Sequence, residues 1–258
     1  MNHYLQAEFY RTTHRNYFYV LLIVCSIILV GLNVLFFVGN QMEGDSGVRM
    51  HLDFLLYMFI QFLPSIGFYM TILLGDMTFS EEYKFQTMRN TVFYGTSRAT
   101  IFFGKFLNAL LFCFLVLAVL IAVIFGSGIL LLGTGPDLLE SIAQFGVMIG
   151  SSIPLWIAGA ALSNMLYCLI PSNNLAVFAF FACLIIPTNT LKLVGLLFHN
   201  NIVLAIRDLL PSSYLDQISK GYAFSNPWLI GECWMIGAIF TAFFLAFGYL
   251  TFRQMEIK

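Results

Sequence analysis

The chain has 258 residues, 60% of them hydrophobic and only 10% charged, with a formal net charge of −1. A soluble domain of this length carries about 25% charged residues, so the composition excludes one and points to an integral membrane protein. A net charge near zero says little about partners, because placement of charge outweighs its sum in a membrane protein.

The opening segment, MNHYLQAEFYRTTHRN, is polar, with Arg11 and Arg15 just before the first apolar run. Tyr4, Leu5, Phe9 and Tyr10 can form an apolar stripe, which would lay an amphipathic helix along the membrane surface. Apolar runs follow at residues 17–38, 54–74, 101–125, 142–170, 175–198 and 228–252. Each is long enough to cross a ~30 Å hydrocarbon core, which takes about 20 residues. The expected fold is all-α: six transmembrane helices in a single membrane domain, 1–258, with both termini on one side. The first run is too long for the apolar region of a cleavable signal peptide. Gly126, Ser127 and Gly128 leave the end of the third span open.

Positive charge sets the orientation. With the termini inside, cytoplasmic segments hold Arg11, Arg15, Lys84, Arg89, Arg98, Lys105, Arg253 and Lys258. The outside then holds Arg49, Lys192, Arg207 and Lys220. Cytoplasmic loops carry the Lys and Arg excess, so the termini are expected in the cytoplasm.

Residues 76–105 form a long polar interruption on that side. Thr78 and Glu81 have capping-box spacing, which predicts a short amphipathic helix starting near Phe79. Gly95 breaks that helix, and Ser97 caps the next span. Arg11, Arg15, Arg98 and Lys105 are expected to anchor the chain at the lipid surface.

Within the spans, Pro64, Pro154 and Pro187 each remove a helical N–H. Gly146, Gly150, Pro154 and Ala158 recur every four residues, a stripe that allows close helix approach, either internally or at a dimer seam. Asn33, Gln61, Asn108, Gln144 and Asn164 are expected as interhelical hydrogen-bond partners, and Lys192 can reach Glu232. Between the last two spans, Asn200 or Asn201 can cap a short helix with Ile202, Ile206, Leu209 and Leu210 on its apolar face.

The sequence holds no GxxxxGK[ST] phosphate loop, no HExxH and no GxSxG, so these routes to ATP hydrolysis and proteolysis are closed. Five cysteines, an odd number with no CxxC pair, support neither a disulfide framework nor a zinc site. Glu81-Glu82 begins the EExxxR signature of intramembrane prenyl-endopeptidases, but Gln86 stands where that signature needs Arg.

Glu82-x4-Thr87-x-Arg89, Gly95-Thr96-Ser97-Arg98 and Gly104-Lys105, on six spans with an amphipathic start, resemble the permeases of type-2 ATP-binding-cassette exporters. Leu209-Leu210-Pro211-x2-Tyr214 and the tail from Tyr249 to Lys258 are similar to that family too. Gln86 and Gly95 depart from its usual Gly and Pro. The resemblance implies a cytoplasmic coupling helix between spans 2 and 3, where Phe79, Glu81, Glu82, Tyr83, Thr87 and Arg89 meet a separate cytosolic ATPase. It also implies a second permease copy or a paralogue, no cofactor in this chain, and ATP with Mg²⁺ in the partner. A short exoplasmic helix before span 6 belongs to the same layout. Size and hydrophobicity are similar to permeases beside bacteriocin, lantibiotic or amphipathic-peptide systems of bacterial cell membranes. The rival reading is a stand-alone carrier or scaffold, with an intramembrane protease third. No mid-span Asp or Glu supports ion coupling, and nothing points to nucleic acid.

Overall fold

In a computed structural model, the described residues are 2–43, 49–85, 93, 95–170 and 172–255. Among them every regular element is a helix: α1 (Asn2–Thr13), α2 (Asn16–Glu43), α3 (Leu52–Phe85), α4 (Arg98–Leu132), α5 (Leu138–Leu169), α6 (Asn173–Leu197), α7 (Asn201–Asp208), α8 (Pro211–Ser219), α9 (Tyr222–Ser225) and α10 (Trp228–Gln254). Six of these, α2 to α6 and α10, are long and apolar enough to cross a membrane, as expected. Six crossings put both chain ends on one side, here termed the terminal face; the opposite side is the distal face.

α5 is the hub, packed along α10 on one side and α3 on the other. Small residues allow this. A Cβ at Gly237 of α10 would come within 2.6 Å of the Pro154 backbone, and one at Gly159 within 3.0 Å of the Phe68 ring. Helices approach this closely in membranes because van der Waals packing, rather than water exclusion, drives their association. The small-residue stripe of α5 is divided: Pro154 and Ala158 are buried, whereas a Cβ at Gly146 or Gly150 would meet nothing. Trp156 closes the α3 side by donating its indole N–H to the Pro64 carbonyl at 2.8 Å.

The third span does not stop at Gly126. It runs to Leu132 and ends at Gly133, whose φ of +70° only glycine adopts without strain. Ser127 explains the continuity, because its hydroxyl donates to Val123 of the same helix and accepts from Asn33 of α2 at 2.6 Å. Of the other span amides, Asn108 also bonds between helices, while Gln144 bonds to Glu140 within α5. Lys192 and Glu232 are exposed and form no ion pair with each other among the described residues.

On the distal face, the Asn200 side chain accepts from the Ile202 N–H and caps α7, as the sequence predicts. Ile202, Ile206 and Leu209 are exposed on it. Pro211 does more than end that helix. It opens α8 at the first position, where its missing N–H costs nothing. α8 then buries Tyr214, Leu215 and Ile218 against α3 and α5.

Candidate coupling junction

The terminal-face end of α3 is where the structure and the sequence expectation part. The predicted helix start at Phe79 does not exist as a separate start, because α3 runs unbroken from Leu52 to Phe85. Thr78 is buried, and its hydroxyl donates back to the Gly75 carbonyl at 2.8 Å instead of capping a new helix. Tertiary burial of Thr78 and Phe79 thus overrides the capping-box signal. Glu81, Glu82 and Tyr83 lie on this continuous α3, with their side chains outside the described residues; Thr87 and Arg89 lie outside the described residues altogether.

Phe79 is fully buried and fastens α3 to its neighbours. Its ring stacks on Tyr167 of α5 with centroids 5.7 Å apart and an interplanar angle of 14°. The Tyr167 hydroxyl reaches back to the Ile72 carbonyl at 3.3 Å. Gly75 makes this contact possible, since a Cβ there would collide with Ser163 and touch the Tyr167 ring.

Lys105 corrects the second expectation. It does not anchor the chain at the lipid surface: its exposure is 0%. The ammonium donates to the Thr78 carbonyl at 2.8 Å, lies 3.7 Å from the Glu8 carboxylate and sits 4.8 Å from the centre of the Phe79 ring. A buried ammonium needs such partners, because its desolvation otherwise costs several kcal/mol, on the order estimated for one buried ion. Arg15 departs from the surface-anchor expectation for a similar reason. It is buried and donates to the Met77 carbonyl, one residue before Thr78.

α1 supplies the other half of the junction. Tyr4, Glu8, Thr12 and Arg15 recur at helical spacing, and this polar stripe faces the protein. Glu8 is 4% exposed and pairs with both Arg11 and Lys105. Asn108 donates to the Thr12 hydroxyl at 2.9 Å, and that hydroxyl donates to the Glu8 carbonyl at 2.9 Å. The Tyr4 ring fills the notch left by Gly104. The apolar stripe of Tyr4, Leu5, Phe9 and Tyr10 is therefore split, with Tyr10 exposed and Tyr4 turned inward.

Arg98 sits at the entrance of α4, where the Ser97 side chain caps the helix by accepting from the Thr100 N–H. Its guanidinium donates to the carbonyls of Arg253 at 2.6 Å and Met255 at 2.7 Å, at the carboxyl end of α10. A cation there satisfies orphan carbonyls and opposes the helix dipole. Of the four expected anchors, Arg11 alone remains mainly an ion-pair residue at the surface, with its side chain about one-third exposed, at 33%.

The junction thus joins Gly104-Lys105, the stretch of α3 from Met77 to Phe79 and the amphipathic start, all three through contacts that sequence spacing did not reveal. A model of the ABC-2 family of transporter proteins matches residues 4–183, from α1 into α6. The chain belongs to that family. It is a multi-pass membrane subunit of an ABC transporter, and the matched region of this permease contains the whole α1–α3–α4 junction except the Arg98 contacts with α10. No curated protein matches the chain. Membership of a transporter family leaves the intramembrane-protease reading without support. Among the described residues, no three His, Cys, Asp or Glu side chains converge as metal ligands would.

Glu8 is the site residue that sequence reasoning missed, and Tyr4, expected in a membrane-facing stripe, turns inward instead. Glu8 is the lone carboxylate of a cationic segment, four residues before Thr12 and seven before Arg15. That spacing is the signal that could have found it.

Proposed function

We propose that this permease is driven by a separate cytosolic ATPase, which binds ATP and Mg²⁺ and docks at residues 79–89. Glu81, Glu82, Tyr83, Thr87 and Arg89 form its contact, while Phe79, expected there too, is buried behind them and passes the load to Tyr167 of α5. The continuity of α3 carries this reading: one helix leads from the distal face through the membrane to Phe85, and Phe79 is fastened to α5 while Lys105 ties α4 to its base. Force applied at Glu81 or Glu82 would reach three spans without passing through a loop. The larger share of Lys and Arg at the terminal face supports a cytoplasmic location for that face.

The substrate in this reading is amphipathic or hydrophobic, a peptide, drug or lipid-like molecule, moved outward by two permeases, either two copies or this chain with a paralogue. The scarcity of buried charge in the spans supports it, since a hydrophilic ion would find little to hold it. The small, hydrophobic chain fits a bacterial plasma-membrane system for peptide export or bacteriocin immunity.

Purification in a mild detergent from the native membrane tests the central claim. A stoichiometric ATPase that is lost when Glu82 is changed to Ala supports docking at this segment. A permease that emerges alone at every detergent strength sinks the ATPase reading and leaves a stand-alone carrier or scaffold. The substrate class has its own assay: proteoliposomes with the ATPase that move no amphipathic peptide, drug or lipid would reject it.

A further inference from the structure

Two cavities lie end to end along α2 and α3. The first, about 560 Å³, opens at the terminal face and is lined by Arg11, His14, Arg15, Tyr17, Asp76 and Met77, with Asn16 beside them. The second, about 530 Å³, lies at membrane depth between α2, α3 and α4. Its walls are almost wholly apolar, from Leu21 and Leu74 near the first cavity to Phe36 and Leu55 at the far end. Tyr17 and Leu21 are one turn apart on α2, as are Met77 and Leu74 on α3, so the apolar groove begins where the polar cavity ends.

The groove exists because α2 packs along α4 and touches α3 little. At membrane depth its apolar walls gain contacts only from apolar matter, and a gap of this size forfeits that dispersion energy unless something fills it. The polar cavity above it has the opposite chemistry. Arg11, Arg15 and His14 concentrate guanidinium charge and an imidazole there, with Arg11 also paired to Glu8 and Arg15 to the Met77 carbonyl. Asp76 is the one carboxylate among the lining residues, and its Oδ1 is buried with no hydrogen-bond partner among the described residues. The site therefore asks for a molecule with a phosphate, a nearby donor group and a hydrocarbon chain.

We propose that this composite site binds one anionic glycerophospholipid from the leaflet at the terminal face. Its phosphate sits among Arg11, His14 and Arg15, where each basic residue at the surface favours anionic lipid. A headgroup hydroxyl donates to Asp76. One acyl chain descends the groove between α2 and α3 as far as Trp156, whose ring lines it beside Gly67. Gly67 lies ten residues from Met77 on α3, a rise of about 15 Å. That is half of a ~30 Å hydrocarbon core, the depth of one leaflet, so the methyl end of an acyl chain reaches Trp156.

Trp156 makes the test direct. The other two tryptophans, Trp228 and Trp234, are exposed near the distal face, and their replacement by Phe leaves Trp156 as the sole indole. The full chain carrying these two changes is reconstituted at fixed lipid composition, with either phosphatidylglycerol or phosphatidylcholine brominated near the methyl end of its acyl chains. Quenching of Trp156 is read for each, together with circular dichroism to verify the fold. The expected result is stronger quenching by the brominated phosphatidylglycerol. Arg11→Gln should lower that preference about fivefold, and His14→Gln should lower it too.

Equal quenching by the two lipids would overturn the proposal, since bulk lipid then fills the groove without a headgroup site. No quenching by either would also overturn it, because another occupant, such as a second copy, then covers the groove. A preference for phosphatidylglycerol that ignores both substitutions would reject the placement of the phosphate.

Discussion

α2 and α5 are both transmembrane helices of similar composition class, yet they are held in opposite ways. About two-thirds of the most apolar stretch of α5 is buried within the chain, 67% against 6% for α2. In water the more apolar helix would be the inner one. In a bilayer apolarity does not select the interior, because lipid tails are as apolar as leucine; small and polar residues do. α5 is seated by complementary surfaces at Pro154, Ala158 and Gly159. α2 is held instead by separate polar clips. Arg15, in the link just before it, binds the Met77 carbonyl, Asn33 binds Ser127, and Asn40 exchanges two hydrogen bonds of 2.8 Å with the Met50 backbone. Between the clips it stands away from α3 and leaves the groove.

The comparison breaks most readily at the charged junction beside α2. Lys105→Met would remove the buried ammonium and leave Glu8 with Arg11 alone, at a cost of about 3 kcal/mol. Adding Glu8→Gln should recover much of that loss, because the buried carboxylate that lost one of its two countercharges is then neutral. Chemical denaturation in detergent micelles reads both values; a double variant no better than the single one would refute the pairing.

A smaller effect tests the seating of α5. Gly237→Ala places a Cβ against Pro154 backbone that cannot move aside, which should cost about 1–3 kcal/mol. The same change at Gly150, where the space is open, should instead stabilise by roughly 0.5–1 kcal/mol through the helix preference of alanine. Opposite signs in thermal unfolding support the divided stripe, whereas equal signs would dismiss it. The smallest destabilisation is expected at the middle clip of α2. Asn33→Ala should cost about 0.6 kcal/mol, the average for hydrogen bonds between membrane helices. A cost above about 2 kcal/mol would mean that α2 is held there by more than one bond.

The spans were legible because hydropathy needs only run length, and Ser97 and Asn200 were legible because caps are local. The junction was not. Lys105 looked like a surface anchor because it opens an apolar run, and nothing near it in sequence names Glu8 or Thr78 as its partners. A single sequence gives the limits of a helix but not its rotation, and rotation decides whether a lysine meets lipid or protein. Thr78 misled for a related reason: the capping pattern is short-range, while the contacts that keep α3 helical through that point come from α4 and α5. The small-residue stripe was visible in full, but only its packing against α10 separates the half that is used from the half that is open.

The complete burial of Lys105 bears on how the machine moves. Its ammonium binds α1, α3 and α4 at one point, so none of the three can slide past the others without stripping a charge of its partners. In the proposed ATP-driven cycle they would travel as one piece. α1, however, keeps Tyr10 exposed at the outer edge of that piece. A stroke delivered to α3 would then drag α1 sideways through the membrane surface, so part of the work of each cycle would be spent on the bilayer itself. Transport by this permease should therefore slow as that surface stiffens, even in a membrane where its substrate and ATP supply are unchanged.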